Sequence, residues 1–266
     1  VYKRQVMEHD DVQIGRILSR REVLGLLGAG GAAALAAPGT ASAALPGTGS
    51  GAAAGLEVSR HSFRLPKCIV RPSQTAGPYF VDTELDRSDI RSDPTDGSVR
   101  EGAKLELAFQ VSRLDAQQCE PLAGALVDVW QCDAAGVYSG VQDINDRFDT
   151  TGKSFLRGHQ VTGRDGIARF TTIYPGWYRG RTVHIHFMIR TNPGDDAGEE
   201  FASQLYFDDE VTDRVFETQP YASQAGQRTR NPDDFIFRSG GSQLLLEVEE
   251  VENGYRAVFD IGLQAG

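Results

Sequence analysis

"TVHIHFMIR", residues 182–190, is a run of β-branched and apolar residues that predicts a half-buried β-strand. Side chains alternate between the two faces of a strand, so His184 and His186 are expected on one face and Ile185 on the other. The two histidine Cα atoms would lie roughly 6.5 Å apart, a spacing at which two imidazoles can bind one metal ion. A strand that carries two half-buried histidines without a metal is the alternative, and this stretch alone does not decide between them.

Six further stretches have the same texture of short apolar runs separated by turn residues. They are KLELAFQVSR (104–113), GALVDVWQ (124–131), ARFTTI (168–173), SQLYF (203–207), QLLLEVEEV (243–251) and YRAVFDIGL (255–263). Seven or more short strands without a long amphipathic helix predict an all-β fold, an antiparallel β-sandwich in one domain. The connections 139–157 and 208–242 exceed ordinary loop lengths, and we expect these long loops to wall a functional site.

The charge of the chain argues against two classes of partner. Its 266 residues carry a formal net charge of −10, and no basic patch interleaved with aromatic residues is present in the sequence. Nucleic acid and anionic membrane surfaces are therefore poor candidate partners. Hydrophobic residues make up 40% of the chain, which is enough for a globular domain with a buried core.

Residues 1–43 are predicted to be an export signal. Arg20 and Arg21 precede an apolar stretch, 23–37, and the ASA sequence at 41–43 is typical of signal-peptidase cleavage. The arginine pair resembles a twin-arginine signal, and an ordinary secretory signal with two adjacent arginines is the alternative. We therefore expect an exported protein, periplasmic or extracellular, with no membrane span in the mature chain.

The rest of the N-terminal region gives the domain boundaries. Met7 is a candidate for the natural start, and residues 44–64, rich in Gly and Ala, are predicted to be a flexible lead-in. The β-sandwich domain is then expected to span residues 65–266.

Three cysteines, Cys68, Cys119 and Cys132, remain in the mature chain. A disulfide is permitted outside the cytoplasm, and an odd count leaves one thiol over. Cys119 and Cys132 would lie at opposite ends of one predicted strand, too far apart to pair with each other. Cys68 with either of the other two stays open.

Two tyrosines extend the histidine pair. Tyr138 follows the turn DAAG, and Tyr178 lies six residues before His184. A phenolate is a hard, strongly donating anion, so two phenolates and two imidazoles would suit Fe(III). Zinc or copper held by His184 and His186 alone is an alternative. Taken singly, each tyrosine is better explained as a packing residue at a strand end, and spacing does not show that the two are close.

Five ordered motifs between Cys68 and Phe207 identify a family resemblance. They are RPSQTAGPYF (71–80), GALVDVWQCDAAGVYSG (124–140), LRGHQVTGRDGIARFTTIYPGWY (156–178), RTVHIHF (181–187) and SQLYF (203–207). On these motifs the chain resembles the intradiol ring-cleavage dioxygenases, non-haem Fe(III) enzymes that include protocatechuate 3,4-dioxygenase and catechol 1,2-dioxygenase. The resemblance implies a β-sandwich core, in agreement with the strand pattern. It also implies that Tyr138, Tyr178, His184 and His186 are the iron ligands, and that Tyr178 leaves the iron when a catechol binds.

Further residues match the family by position. Arg181 matches an arginine that stabilises negative charge on the substrate ring, where the alternative is a surface salt bridge. Gln204 matches a polar residue near the oxygen site, where the alternative is a strand glutamine that bonds to the backbone. Gly77, Pro78 and Tyr79 match a segment that lines the substrate mouth.

The resemblance implies a reaction as well as a site. The partners would be a catechol-type small molecule and O₂, and cleavage between the two hydroxyl-bearing carbons would give a cis,cis-muconate. An exported β-sandwich binding protein with a metal site but no turnover is the alternative. Gly180 stands where protocatechuate 3,4-dioxygenases carry a tryptophan, so a more open pocket is expected. Residues 44–67 are too short for the helical dimerisation segment of catechol 1,2-dioxygenases, and assembly as a homo-oligomer stays open.

Overall fold

The computed structural model describes residues 69–114, 119–191 and 198–264. Its strands, in chain order, are β1 (Lys104–Leu114), β2 (Cys119–Pro121), β3 (Leu126–Trp130), β4 (Arg157–Val161), β5 (Ile167–Ile173), β6 (His184–Arg190), β7 (Glu200–Tyr206), β8 (Val248–Val251) and β9 (Gly254–Gln264). One short helix, α1 (Asp209–Phe216), follows β7. The predicted signal segment, 1–43, and lead-in, 44–64, lie outside the described residues. The all-β prediction is confirmed for the described part of the chain.

The strands form two sheets. One sheet has the order β2-β1-β9-β8, with β5 also paired to β1, and the other has the order β4-β3-β6-β7. The pairs are antiparallel, as predicted, except for β1 and β9, which run parallel. Alternation of apolar residues shows which face of a strand is buried but not which way its neighbour runs, so the sequence could not reveal this pairing.

A cluster of aromatic side chains fills the space between the sheets. The ring of Phe109 on β1 lies with its centroid 5.2 Å from that of Phe187 on β6 and 6.0 Å from that of Phe259 on β9. Ile185, Phe187 and Ile189 of β6 all belong to this core. Burial of such side chains is the main favourable contribution to folding.

The opposite face of β6 is also buried, but against different partners. His184 and His186 lie on it, and Met188 packs in a second apolar cluster with Tyr79, Trp130 and Tyr138. The predicted placement of His184 and His186 on one face and Ile185 on the other is therefore confirmed. The strand begins at His184 and is buried on both faces, so the prediction that it is half buried is wrong. The face that carries the histidines positions the candidate site.

Three details of the sequence prediction need correction or addition. The stretch 243–251 is not one strand, because a 3₁₀ helix occupies Gly241–Leu244 and β8 starts at Val248. An unbroken apolar run does not distinguish a strand from a helical turn. The two strands β2 and β4 were not predicted from the sequence, nor was α1.

Cys119 and Cys132 do not pair with each other, as predicted, but the structural reason differs from the predicted one. Cys119 lies on β2 and is disulfide-bonded, whereas Cys132 follows β3 and is a free, buried thiol. Cys119 therefore lies in one sheet and Cys132 just beyond a strand of the other sheet, and they do not lie at the two ends of one strand as predicted. Cys68 lies outside the described residues.

Within the described ranges, no helix combines the length and the apolar character needed to cross a bilayer.

Candidate metal centre

Four side-chain donor atoms converge on the buried outer face of β6. The Nε2 atoms of His184 and His186 lie 3.1 Å apart. The hydroxyl oxygens of Tyr138 and Tyr178 lie 3.4 and 3.3 Å from His184 Nε2. The structure thus brings together all four residues that the sequence predicts as metal ligands.

Neighbouring groups orient the two imidazoles. His184 Nδ1 donates a hydrogen bond of 2.6 Å to the carbonyl oxygen of Thr182, which leaves the lone pair of Nε2 facing the other donors. The ring of His186 stacks on Trp130, with centroids 5.1 Å apart and planes inclined by 5°. The Nδ1 atom of His186 is buried and has no hydrogen-bond partner. Backbone and packing contacts therefore fix both rings with Nε2 directed into the cluster.

The two tyrosines meet because their turns are in direct backbone contact. The turn 133–138 ends in Tyr138, and Gly176 lies two residues before Tyr178. The backbone N–H of Gly176 donates to the carbonyl oxygen of Asp133 at 3.1 Å. A Cβ atom at position 176 would lie only 2.5 Å from the carbonyl oxygen of Ala134, so only glycine allows this approach. Sequence spacing could not show this contact.

Burial shifts the pKa values of all four donors. Burial, followed by the charges of neighbouring His184 and Arg181, lowers the pKa of His186 well below its usual range, and burial with Arg181 likewise lowers that of His184. Burial raises the pKa of Tyr138 well above its usual range and that of Tyr178 to about 12, although Arg181 opposes the latter shift. Both imidazoles are therefore neutral at pH 7, which is the form that binds metals.

This donor set fits a trivalent iron ion. Donor atoms bound to one ion at roughly 2.1 Å lie roughly 3–3.5 Å from each other, in agreement with the spacing of the cluster. Over residues 69–114, 119–191 and 198–264, no three His, Cys, Asp or Glu side chains are grouped to hold a metal ion. A centre with more than the two imidazoles as protein ligands would therefore include the phenols, and anionic phenolates are hard ligands that favour Fe(III).

Arg181 lies at the edge of the cluster in a network of buried polar groups. Its Nε donates to Asp234 Oδ2 at 2.8 Å, and its Nη2 donates to Gln204 Oε1 at 2.5 Å. Gln204 is fully buried on β7, opposite His186, and its Nε2 donates to the carbonyl oxygen of Thr75 at 3.0 Å. Arg181 is therefore not in a surface salt bridge, and Gln204 bonds to a side chain as well as to the backbone.

The segment 77–79 forms another side of the site. Gly77 lies against the ring of His186, since a Cβ atom there would be 3.0 Å from His186 Cε1. The buried ring of Tyr79 lies 4.7 Å from that of Tyr138 and 6.1 Å from that of Tyr178. Pro78, between them, is exposed. Two of the three predicted mouth residues thus contact the site directly.

Both long connections reach the site, as the sequence predicted. Asp143, in 139–157, accepts a hydrogen bond of 2.6 Å from Tyr79 and is paired with Arg147 at 2.9 Å. Asp234, in 208–242, is paired with Arg181. Sequence reasoning identified neither aspartate, because a single acidic residue in a polar loop carries no local signal. Only the unusual lengths of the two loops indicated that they contribute to a site.

Comparison with known proteins agrees with this geometry. A family model described as dioxygenase matches residues 75–231. The chain belongs to the intradiol ring-cleavage dioxygenase family. It is 30% identical to the protocatechuate 3,4-dioxygenase beta chain of Burkholderia cepacia over 151 residues, which are 52% of this chain and 62% of that protein. The chain thus spans less than two thirds of the length of the curated relatives that it matches most strongly.

Two solved structures extend the comparison. An intradiol ring-cleavage dioxygenase from Tetranychus urticae is 28% identical, with a TM-score of 0.63, and the match covers 74% of this chain and 95% of that one. The dioxygenase domain of a dioxygenase and carbohydrate-binding protein fusion from Streptomyces sp. SirexAA-E is 30% identical, with a TM-score of 0.53. That match covers 74% of this chain and 100% of the domain. The dioxygenase β-sandwich is therefore the fold of the described residues.

Proposed function

We propose that this protein is a non-haem Fe(III) dioxygenase that cleaves a catechol between its two hydroxyl-bearing carbons to give a cis,cis-muconate. The observation that carries the proposal is the convergence of two phenols and two imidazoles at spacings of 3.1–3.4 Å. Family membership supports the same reaction class. Both atoms of O₂ enter the product, so the reaction balances without an external reductant.

The four donors would hold the ion, and the other residues would act on the substrate. An Fe(III) ion held there would supply the Lewis acidity that makes the catechol ring reactive toward O₂. Tyr178 is only half buried, and its Oη is the atom that we propose accepts a catechol hydroxyl proton. Tyr138 is fully buried and would keep its position.

Three further residues would act on the substrate ring, one through its charge and two through their shape. The Arg181 guanidinium, 11% exposed, would stabilise negative charge that develops on the ring in a site largely closed to water. Tyr79 and Gly77 would limit the space beside the ring of the substrate. These roles use side chains that the fold already holds in place, so little reorganisation is needed during the reaction.

The test is a visible absorption spectrum of the purified chain, repeated after anaerobic addition of catechol. A tyrosinate-to-Fe(III) band that shifts on addition, followed by equimolar loss of O₂ and catechol in air, is expected. A protein that stays colourless after iron reconstitution would contradict the proposal. A coloured protein whose band shifts but which consumes no O₂ with any catechol would favour the alternative, a binding protein without turnover.

We also propose that the protein is exported. The disulfide bond of Cys119 supports this, because disulfides persist mainly outside the reducing cytoplasm. The export proposal is tested by the intact mass of the protein recovered from the cell envelope or medium. The expected mass is that of a chain cleaved after Ala43. Replacement of Arg20 and Arg21 by lysine should block export if the twin-arginine route is used, and unchanged export would indicate the ordinary secretory route.

A further inference from the structure

Asp234 has an unusual environment for a loop carboxylate. It is 0% exposed, and each of its oxygens accepts two N–H groups. Oδ1 accepts from the backbone of Ile236 and Phe237 at 2.7 and 3.1 Å. Oδ2 accepts from Arg181 Nε and from the backbone of Thr182, both at 2.8 Å. The carboxylate therefore joins the long connection 208–242 to the residues that lead into β6.

The contact fixes the plane of the Arg181 guanidinium. Asp234 binds the Nε edge, and Gln204 binds Nη2 from another direction. Gln204 is itself held by the Thr75 carbonyl and by the Tyr206 hydroxyl, which donates to its Oε1 at 3.1 Å. A guanidinium is planar, so two contacts on different edges determine its orientation.

Arg181 would keep only the Gln204 hydrogen bond of these two if the Asp234 contact were lost. It follows Gly180, whose φ is +89° and around which a Cβ atom would meet nothing within 4 Å. Arginine is a long side chain that loses considerable rotamer entropy when it is ordered. A carboxylate that already orders the Arg181 side chain in the folded protein means that this entropy is not lost during the reaction.

We propose that Asp234 is a positioning residue, which holds the Arg181 guanidinium where its charge acts on the substrate ring. The inference rests on the proposed function, because it assigns Asp234 a part in that same reaction. A purely structural role is the competing explanation, since the same carboxylate also docks the long connection. The two explanations differ in what happens to turnover per bound iron.

The first variant is Asp234→Asn, which keeps the size of the side chain but removes its charge and replaces one of its two accepting oxygens by an N–H₂ donor, which meets N–H groups whichever way the amide is turned. The kcat per bound iron is expected to fall roughly 10–100-fold, because a small misplacement of a catalytic group costs about this much. KM for catechol should change less than about threefold, since the charge on the ring develops during the reaction. The iron content and the visible band should stay as in the wild type, and these do not depend on turnover.

Two controls separate positioning from structure. Asp128→Asn breaks another partly buried ion pair, between Asp128 Oδ2 on β3 and Arg190 Nη2 on β6 at 2.7 Å, and should leave kcat per iron unchanged. In an Arg181→Gln background, Asp234→Asn should have little further effect on kcat, because the group that it positions is gone. If Asp234→Asn does not fold, Asp234→Glu replaces it, which keeps the charge and should give a smaller fall in kcat per iron.

The outcomes distinguish the two proposals. A wild-type protein that binds iron but turns over no catechol overturns the proposed function and the positioning role with it. A wild type that turns over catechol, with a variant whose melting temperature and iron content fall but whose kcat per iron is unchanged, overturns the positioning role alone. An unchanged kcat in Asp234→Glu, where that variant is used, or full additivity with Arg181→Gln, does the same.

Discussion

The two faces of β6 are both buried, but they hold different kinds of side chain. Ile185, Phe187 and Ile189 face the other sheet and belong to the apolar core. His184 and His186 face outward into a cluster of donor atoms, where one imidazole nitrogen lacks a hydrogen-bond partner. A buried polar atom without a partner costs about 1–3 kcal/mol, so the second face does not by itself favour folding. One strand thus carries stability on one face and the candidate chemistry on the other.

Because the two faces of β6 hold different kinds of side chain, mutations should affect stability and metal chemistry separately. A substitution on the core face should lower the free energy of unfolding and leave the site of the folded molecules intact. A substitution on the site face should remove function and change stability little. The predictions below test this separation, starting with the largest expected effect.

Replacement of His186 by leucine should abolish iron binding. Loss of a residue that only hydrogen-bonds to a metal ligand already lowers metal affinity roughly 10–100-fold. Loss of a ligand itself should lower it by more than that. The apo protein should unfold within about 1 kcal/mol of the wild type, because an apolar side chain beside Trp130 removes an unpartnered nitrogen. Iron content after desalting and denaturant unfolding of the apo protein measure the two effects.

His159→Leu is the matched control, since His159 lies half buried on β4 and is not one of the four converging residues. It should keep equimolar iron. Equimolar iron in His186→Leu would show that the donor cluster is not the metal centre.

Replacement of Phe187 by alanine should have the opposite effect. Its ring packs against Phe109 and Phe259 with centroid distances of 5.2 and 5.5 Å, and its removal should cost about 3–5 kcal/mol of unfolding free energy. Phe187→Leu keeps most of the apolar volume and should cost about 1–2 kcal/mol. Urea unfolding of both variants, with iron content per folded molecule, checks this. A Phe187→Ala protein that is as stable as the wild type but lacks iron would refute the separation of the two faces.

Replacement of Tyr178 by phenylalanine should slow turnover about 100-fold, the lower end of what a positioned proton acceptor contributes. This corresponds to about 2.7 kcal/mol of activation free energy. The visible band should shift, because one phenolate is lost, and the melting temperature should change little. A site formed by His184 and His186 alone would show neither change.

Tyr174→Phe makes the same chemical change on the core side. Its hydroxyl is hydrogen-bonded to Thr212 Oγ1 at 2.7 Å, so its loss should cost about 1 kcal/mol of stability. Turnover per iron and the band should be those of the wild type. A similar loss of turnover in both tyrosine variants would mean that the effect of Tyr178→Phe is not specific to the site.

The sequence predicted those parts of the molecule where local pattern and structure coincide. The alternation in 182–190 and in 104–113 predicted β6 and β1 nearly to their ends. It failed at β4, where Leu156 has a φ of +55° and consecutive buried residues break the alternation. A left-handed leucine is costly and is retained only by tertiary contacts, so no local rule foresees it.

The candidate site was predicted in a different way. Spacing alone indicated the histidine pair, whereas the two tyrosines were candidates from the chemistry of phenolates and became predicted ligands only through the family resemblance. Asp234 and Asp143 could not be found by either route, because a residue that lies 53 positions after Arg181 in sequence becomes its partner only through the fold of a long connection. Loop length showed that the connections matter but not which side chains they deliver.

Gly176 tests whether the two faces are fully independent, because it belongs to neither of them. A Cβ atom at this position would lie 2.5 Å from the carbonyl oxygen of Ala134, so Gly176→Ala must push apart the turns that hold Tyr138 and Tyr178. We expect a loss of about 1–3 kcal/mol of unfolding free energy from overpacking. Iron affinity should fall roughly 10-fold at the same time, since the tyrosines move relative to the histidines.

The control for this last variant is Gly152→Ala. Gly152 has a φ of +84° and open space around it, so alanine there should cost about 1–2 kcal/mol through backbone strain alone. Iron affinity should not change. Iron competition titrations and urea unfolding of both variants separate the two cases. A Gly176→Ala protein that loses stability but binds iron as tightly as Gly152→Ala would show that the turn contact does not set the tyrosine positions, and stability and chemistry would then be separable even where the backbone joins them.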